Sequence, residues 1–236
     1  MTRLLFREDA YRREADGVVA GITAEGGIRM DPCLFYPTGG GQPGDSGWLD
    51  WPGGQIAIAT AVKEGDGVVL IPAEPAAMPA PGTVVRQRLD WGRRWGHMRV
   101  HTALHLLSVV LPYPVTGGAI GADRGRLDFD MEEVPDASAV EAALAALVRA
   151  DLAVTEEWIT EAELDANPGL VKTLRVQPPR GAGRVRLVRI GEGAGTVDLQ
   201  PCGGTHVART GEIGGLMLGR VEKKGRQNRR VVLHLE

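Results

Sequence analysis

Cysteine is scarce in this chain, and long apolar runs are missing from it. Only 2 of the 236 residues are cysteine, which excludes the disulfide-rich scaffold of a small secreted protein and favours a reducing compartment. Charged side chains interrupt residues 1–16, so no apolar signal-peptide core is visible there. No apolar run reaches about 18 residues, the length that a membrane helix needs. We therefore expect a soluble, cytoplasmic protein with no membrane partner.

The net charge is small, at −3, but the charges are segregated along the chain. Val171–Arg189 and Arg220–Arg230 are rich in arginine and lysine, with Glu222 as their one acid, whereas Asp130–Asp165 is acidic apart from Arg149. An arginine-rich face commonly binds a phosphate backbone. The same pattern also fits an ordinary solvated surface, so charge alone leaves both interpretations open.

Glycine is abundant, with 33 residues, about twice the average usage. The glycines cluster rather than repeat, which indicates tight turns and excludes a collagen-like chain. In residues 1–90 they separate short apolar runs, and Gly65-Asp66-Gly67 predicts a hairpin turn. The predicted strands are Gly17–Ile22, Gln55–Val62, Val68–Ile71 and Val84–Leu89. A small β-barrel closes so many short strands, and we expect it to be a domain of its own.

Residues 91–236 change to helical and mixed periodicity. Apolar spacing predicts a helix from about Gly96 to Leu111, and Asp136 predicts the cap of a second helix, Ala137 to about Leu152. The predicted strands are Arg126–Met131, Arg184–Ile190, Thr196–Leu199, Gly214–Leu218 and Arg230–Leu235. The expected fold class is therefore α+β, with a small barrel followed by a two-layer α/β domain.

Two short motifs carry the chemistry. His101 and His105 stand four positions apart on the first predicted helix, which places both imidazoles on one face. Cys202 and His206 repeat that spacing in a glycine-rich turn, Cys-Gly-Gly-Thr-His. One cysteine and three histidines form a set that zinc accepts readily, so we expect one Zn²⁺ per chain.

The role of such a zinc is left open by the sequence. Four protein ligands are typical of a structural site, whereas a catalytic zinc keeps a position for water or substrate. His97 lies one turn before His101 and is interpreted as an orienting or surface histidine. His234 and Cys33 have no partner motif and are interpreted as structural.

These residues resemble a known family. His101-x-x-x-His105 and Cys202-x-x-x-His206 are similar to the motifs of the editing domain of alanyl-tRNA synthetases and of their freestanding relatives, the AlaX editing proteins. The run Gly39–Gly47 resembles the glycine-rich motif of the longer AlaX forms, and Arg126-Leu127-Asp128-Phe129 and Arg229-Arg230 match in order. The resemblance covers nearly the whole chain and points to the medium AlaX type. It implies an alanyl- and threonyl-tRNA-synthetase-like editing domain over residues 91–236.

The resemblance also implies an activity. A family member hydrolyses the ester that joins a wrong amino acid to the acceptor end of tRNA(Ala), and so protects translation fidelity. Serine is the usual wrong amino acid and glycine is the other. It implies that the four motif residues act through zinc: His101, His105, Cys202 and His206. That zinc would position the amino acid or a water rather than supply a covalent nucleophile.

The resemblance suggests substrate-binding residues as well. In the glycine-rich run these are Gly40, Gly41, Gln42 and Asp45, although a tight loop alone would also explain the glycines. Thr116 matches a polar position that lines the pocket. Asp128 is expected either to orient a histidine or a water, or to be a structural carboxylate.

Of three other functions, one stays open and two are disfavoured. A zinc-stabilised RNA-binding module without hydrolytic activity would use the same ligands and basic stretches. A zinc peptidase is disfavoured because Leu104 precedes His105 and no His-Glu-x-x-His motif occurs. A complete synthetase is also disfavoured, since no Gly-x-x-x-x-Gly-Lys loop is present and the two domains leave no length for an ATP-binding core.

Overall fold

The computed structural model describes residues 2–174, 181 and 183–236. The chain divides into two compact units, residues 1–96 and residues 97–236. The strands of the first unit are β1 (Glu14–Ile22), β2 (Ile28–Asp31), β3 (Gly47–Trp51), β4 (Gly54–Glu64), β5 (Gly67–Pro72) and β6 (Val84–Leu89).

The first unit is a closed antiparallel barrel with strand order β1-β2-β5-β4-β3-β6. Alternate side chains of each strand point inward and fill a dry core, with Ile28 and Met30 of β2 and Leu49 of β3 fully buried. The predicted hairpin turn joins β4 to β5, and Gly65 adopts a positive φ of 56° there. The predicted barrel is confirmed.

The second unit combines helices with two sheets. Its elements are α1 (Trp91–Val110, which begins before the division), β7 (Val115–Ile120), β8 (Arg124–Asp130), α2 (Ala137–Arg149), β9 (Val154–Thr160), α3 (Glu161–Ala166), β10 (Arg184–Ile190), β11 (Asp198–Pro201), β12 (Leu216–Leu218), β13 (Glu222–Lys223) and β14 (Asn228–Leu235). One sheet has the order β11-β10-β9, and the other has the order β12-β14-β8-β7 with β13 beside β14. The α+β class is confirmed. Among the described residues, no helix is both long and apolar enough to cross a membrane.

Helix α1 begins at Trp91, five residues before the predicted start at Gly96. Asp90 explains the difference, because its Oδ1 accepts a hydrogen bond of 3.2 Å from the backbone N–H of Arg93 and so caps the first turn. The prediction followed apolar spacing, which begins only after this polar first turn.

The end of α2 and the start of β11 also differ from the prediction. Helix α2 starts at its predicted cap, where Asp136 accepts from the N–H of Ala139 at 2.9 Å, but it ends at Arg149 because Asp151 takes a positive φ of 47°. Strand β11 begins at Asp198, two residues later than predicted, after a 3-10 turn at Gly193–Gly195. Strands β2, β3, β7 and β9 and helix α3 were not predicted, since they are short or lack a clean period.

Candidate metal centre

Helix α1 supplies the first two side chains of the site. Val100 and Leu104 of α1 pack on Gly125 of β8 so closely that a Cβ there would lie 2.5 Å from Val100 Cγ1. His101 and His105, each one position further along, lie on the neighbouring face of the helix, one turn apart. Both imidazoles are buried. Because Gly125 has no side chain, α1 can lie directly against β8. This packing sets the helix face on which His101 and His105 lie.

The loop after β11 supplies the other two side chains, Cys202 and His206. Arg186 of β10 holds this loop, because its Nη1 donates to the carbonyl oxygens of Cys202 at 2.6 Å and Gly204 at 3.0 Å. The N–H of Cys202 in turn donates to the carbonyl of Arg186 at 3.2 Å. Arg186 also forms an ion pair with Glu156 of β9. The loop conformation is thus fixed by the middle strand of the three-stranded sheet.

The two elements bring four side chains to one point. These side chains, which we call the ligand cluster, are His101, His105, Cys202 and His206. Cys202 Sγ lies 3.4 Å from Nε2 of His101 and 3.3 Å from Nε2 of His206. One donor atom from each residue lies within 4.8 Å of the others, which is a spacing that a single metal ion can bridge.

In two of the imidazoles, Nδ1 faces away from the centre of the cluster and is held by a hydrogen bond. Nδ1 of His105 donates to Oδ2 of Asp198 at 2.9 Å. The Thr102 hydroxyl donates to the carbonyl of Met98 at 2.9 Å, so its oxygen accepts from Nδ1 of His206 at 3.1 Å. With both Nδ1 atoms acting as donors, the two Nε2 atoms face the centre of the cluster, and each can bind a metal when it carries no proton.

Asp198 is itself held by a polar network. Lys172 Nζ lies 2.5 Å from its Oδ1, and Gln200 Nε2 lies 2.8 Å from its Oδ2. Ser108 joins this network by accepting from Gln200 Nε2 at 3.3 Å and donating to the carbonyl of His105 at 2.8 Å. The Asp198 side chain is fully buried, so these partners offset the cost of burying its charge.

The protonation states of Cys202 and His206 agree with a ligand set. Burial alone would raise the pKa of the Cys202 thiol, but His101 and His206 hold that pKa well below its usual value, which favours the thiolate. Burial and the charge of His101 lower the pKa of His206 to about 3, which favours the neutral imidazole. Thiolate and neutral imidazole are the forms that bind a metal.

Asp198 and His105 change each other's pKa. Burial would raise the pKa of Asp198, yet His105 and Lys172 lower it to about 2. Burial lowers the pKa of His105, but the hydrogen bond to Asp198 and the neighbouring Cys202 raise it to about 9. The Nδ1–H to carboxylate hydrogen bond that orients this imidazole contributes to both shifts. At neutral pH the raised pKa favours protonated His105, so a metal that binds Nε2 would displace a proton from it.

Comparisons with known proteins place this site in a family. A family profile described as "Threonyl and Alanyl tRNA synthetase second additional domain" matches residues 185–232, which include Cys202 and His206. The alanyl-tRNA editing protein AlaX-M of Methanosarcina acetivorans is 31% identical over 100% of this chain and 99% of its own length. AlaX-M of Saccharolobus solfataricus is 32% identical over 98% of each chain. The chain belongs to the AlaX family of alanyl-tRNA editing proteins.

The family extends into a larger enzyme. The alanine–tRNA ligase of Caldivirga maquilingensis is 34% identical over 94% of this chain but over only 25% of its own length. The AlaX chain therefore corresponds to one part of that ligase. Its similarity to AlaX-M proteins, by contrast, runs end to end, so the freestanding AlaX membership expected from the motifs is confirmed.

The structure brings together only part of the predicted site of this AlaX chain. The four motif residues meet, but Asp128 contacts Arg126 Nη1 at 2.6 Å and Arg230 Nε at 2.8 Å rather than a histidine. The carboxylate that orients His105 is Asp198. Thr116 donates to the carbonyl of Asp128 at 3.1 Å. Its predicted contact with substrate stays a prediction.

The glycine-rich motif lies in the first unit of the AlaX chain. Gly40 and Gly41 adopt positive φ values of 59° and 84°, which the tight turn requires. Asp45 is buried, and its carboxylate forms an ion pair with Arg94, whose Nε lies 2.9 Å from Oδ1. Gln42 is also fully buried. These contacts account for Asp45 structurally, and substrate binding by the motif stays a prediction.

The remaining histidine and cysteine interpretations can also be placed. His97 is buried, at 2% exposure, so a surface position is wrong for it. Cys33 is buried in the barrel, where burial raises the pKa of its thiol to about 12. His234 lies in β14 opposite Met217 of β12, outside the ligand cluster.

Several arginines of the two basic stretches, Val171–Arg189 and Arg220–Arg230, already contact other groups of the protein and are therefore less available to bind RNA. Three of their arginines form ion pairs: Arg186 with Glu156, Arg189 with Glu157 and Arg230 with Asp128. Arg229 is buried and donates to the carbonyl of Glu132. Arg175 and Arg180 lie outside the described residues. A role of the remaining cations, such as Arg220 and Arg226, in RNA binding stays a prediction.

Proposed function

We propose that this chain is a trans-editing hydrolase that deacylates mischarged tRNA(Ala), chiefly seryl-tRNA(Ala) and more slowly glycyl-tRNA(Ala). The single observation that carries the proposal is the buried ligand cluster with its two fixed imidazoles, in a chain similar along its length to alanyl-tRNA editing proteins. Its partner is the acceptor end of tRNA(Ala), and we propose a cytoplasmic location, where that tRNA is charged.

The proposal includes one zinc ion per chain, held by the ligand cluster. One thiolate and three imidazoles suit Zn²⁺ better than Mg²⁺ or Ca²⁺, which prefer oxygen ligands. When bound, zinc would act as a Lewis acid that polarises a water or a polar group of the amino acid. All four ligands belong to residues 91–236, which supports assigning the editing chemistry to that domain.

Several residues of the chain hold the ligand cluster in place. Asp198 and Thr102 hold the imidazoles of His105 and His206 in the tautomer that binds metal. Arg186 fixes the loop that carries Cys202. In the hydrolysis, the oxygen of a water adds to the ester carbonyl carbon, the ester C–O bond breaks, and the amino acid and the free 3′-terminal hydroxyl of the tRNA leave. None of these steps needs a covalent enzyme intermediate.

Discrimination would rest on the serine hydroxyl. Serine is larger than alanine, so a pocket that admits serine cannot exclude alanine by size. A site that hydrogen-bonds the hydroxyl rejects alanine, because its buried polar groups would stay unpaired. Glycine enters the same pocket but gains nothing from those groups.

The test is hydrolysis of seryl-tRNA(Ala) by purified protein of known zinc content. We expect release of serine by the zinc-loaded protein, its loss after chelation and its return with zinc. His105→Ala removes a ligand and should abolish release, while His234→Ala, outside the ligand cluster, should retain it. Tight tRNA binding without any release of serine would instead favour the zinc-stabilised RNA-binding module, which four protein ligands also permit.

A further inference from the structure

Three aromatic rings of the first unit gather at one place. Tyr11 precedes β1, and Trp91 and Trp95 lie in the first turns of α1. The two indole centroids are 5.8 Å apart, and the phenol centroid is 6.1 Å from Trp91 and 5.8 Å from Trp95. All three side chains are half-buried. Each ring therefore packs on its neighbours and still offers part of its surface to solvent.

Arginines without a carboxylate partner accompany these rings. Five of the nine arginines in residues 2–96 form ion pairs: Arg3, Arg29, Arg86, Arg88 and Arg94. The other four, Arg7, Arg12, Arg13 and Arg93, form none with the acids that the structure describes. Arg12 and Arg13 follow Tyr11 directly, and Arg93 stands between the two tryptophans. Three of these four arginines thus stand beside the rings in sequence.

Arg13 links the two features. Its guanidinium carbon lies 4.4 Å from the centroid of the Trp91 ring, which is a cation–π contact. The Arg13 side chain is exposed, so its donors can still reach an anion while the plane of the guanidinium stays on the indole. A guanidinium on an aromatic ring is a common way to present a flat, cationic platform to a nucleotide.

The chemistry of this surface selects the partner. Free guanidinium groups attract phosphates, and aromatic faces stack on nucleobases without a strong preference for one base. A purely apolar partner would leave the arginines unpaired, and an acidic peptide would leave the rings unused. A polyanion with flat heterocycles uses both parts of the surface.

We infer that Tyr11, Arg12, Arg13, Trp91, Arg93 and Trp95 form an RNA-binding surface, here called the aromatic–arginine cluster. It stacks an unpaired nucleobase of the tRNA and binds the adjoining phosphates. That the RNA is the editing substrate rests on the proposed function. The surface lies in the barrel unit, away in sequence from both basic stretches that the charge pattern suggested.

The test compares variants in binding uncharged tRNA(Ala). Trp95→Leu keeps apolar packing but loses the ring, so we expect affinity to fall about 5- to 100-fold, while Trp95→Phe keeps a ring and most of the affinity. Arg13→Gln should reduce the slope of log Kd against log salt concentration by about 1. Because Arg13 is exposed, this variant tests the surface without risk to folding.

Trp48→Leu is the matched control. Trp48 is another half-buried tryptophan of the same barrel with an arginine, Arg88, 5.3 Å over its ring, but Arg88 is neutralised by Asp50. We expect wild-type affinity for tRNA(Ala) in this variant. A loss equal to that of Trp95→Leu would show that any tryptophan of the barrel has the same effect and would overturn the inference.

Two results separate this inference from the editing function. If the wild type deacylates seryl-tRNA(Ala) while Trp95→Leu and Arg13→Gln bind tRNA as tightly as the wild type, the inference is wrong and the editing function stands. If the variants bind tRNA more weakly but the wild type releases no serine, the surface stands and the editing function is wrong. Variants that change the oligomeric state at unchanged tRNA affinity would show that the surface binds a second copy of the chain, which also overturns the inference.

Discussion

His105 and Asp198, 93 positions apart in the chain, are joined by a hydrogen bond of 2.9 Å between Nδ1 and Oδ2. This bond decides which nitrogen of His105 is free to bind a metal. Lys172 and Gln200 complete the environment of the carboxylate. The site therefore depends on a second layer of residues, which hold the ligands but do not belong to the ligand cluster. Two of them, Asp198 and Gln200, lie in β11, the strand that directly precedes Cys202.

Replacing Asp198 tests this second layer. Asp198→Asn keeps the shape of the side chain but removes its charge, so His105 loses its strongest acceptor. We expect zinc affinity, measured by competition with a chromophoric chelator, to fall about 10- to 100-fold. Asp128→Asn is the control, because Asp128 binds Arg126 and Arg230 instead of a histidine. A larger fall in Asp128→Asn than in Asp198→Asn would contradict the assignment.

The two cysteines give a second prediction. Cys202→Ala removes the only thiolate of the ligand cluster, and we expect its zinc content after dialysis to fall far below one ion per chain. Cys33→Ala, in the barrel core, should keep its zinc, because burial keeps that thiol protonated. Metal analysis of both purified variants checks this. Near-stoichiometric zinc in Cys202→Ala would remove Cys202 from the site.

Asp128 predicts a pH dependence of stability. Burial would raise its pKa, but Arg230 and Arg126 outweigh burial and lower it. A carboxylate with a lowered pKa in the folded state contributes stability above about pH 4, and that contribution is lost as the pH falls through the folded-state pKa. We expect Asp128→Asn to lower the free energy of unfolding by about 1 to 3 kcal/mol at neutral pH.

The same variant supplies its own control at low pH. Once Asp128 is protonated in the wild type, wild type and Asp128→Asn should be about equally stable. Urea denaturation at neutral pH and at an acidic pH, well below the folded-state pKa of Asp128, measures both differences. An equal loss at the two pH values would show that packing, and not the charge, accounts for the effect.

Salt gives a fourth prediction. If arginine and lysine side chains bind tRNA phosphates, each contact releases counterions, so tRNA affinity should fall steeply between low and physiological salt. Titration of the protein with tRNA(Ala) at several salt concentrations gives the slope. An affinity that does not change with salt would contradict an electrostatic contact of either the basic stretches or the aromatic–arginine cluster.

Much of the architecture follows from local patterns. Alternating apolar residues and glycine turns predict the barrel, and matched spacing predicts the four residues of the ligand cluster. Asp90 is a local signal for the start of α1 that apolar spacing does not include, because an aspartate before a helical stretch commonly caps the helix. Strands such as β7, with two glycines in six residues, offer no period to detect.

The contacts of Asp198 with His105, Lys172 and Gln200 were not predicted, because most of them join segments that are distant in sequence. Nothing near Lys172 links it to Asp198, and the ion pair forms only when the sheet assembles. One signal was nevertheless present: Asp198 and Gln200 alternate along β11 and therefore share one face, and Cys202 follows two positions later in the next loop. A buried strand face that carries an acid and an amide just before a cysteine motif indicates a site rather than a core.

The most direct test of the central claim is the relative rate at which the zinc-loaded protein deacylates seryl-, glycyl- and alanyl-tRNA(Ala). A site that requires the serine hydroxyl can discriminate by about 10⁴ to 10⁵, whereas one methylene is worth only about 1 to 3 kcal/mol. We predict the order seryl, then glycyl, then alanyl, with all three rates lost in His105→Ala. Hydrolysis of the alanyl ester at a rate comparable to that of the seryl ester would contradict the editing function, even with zinc bound.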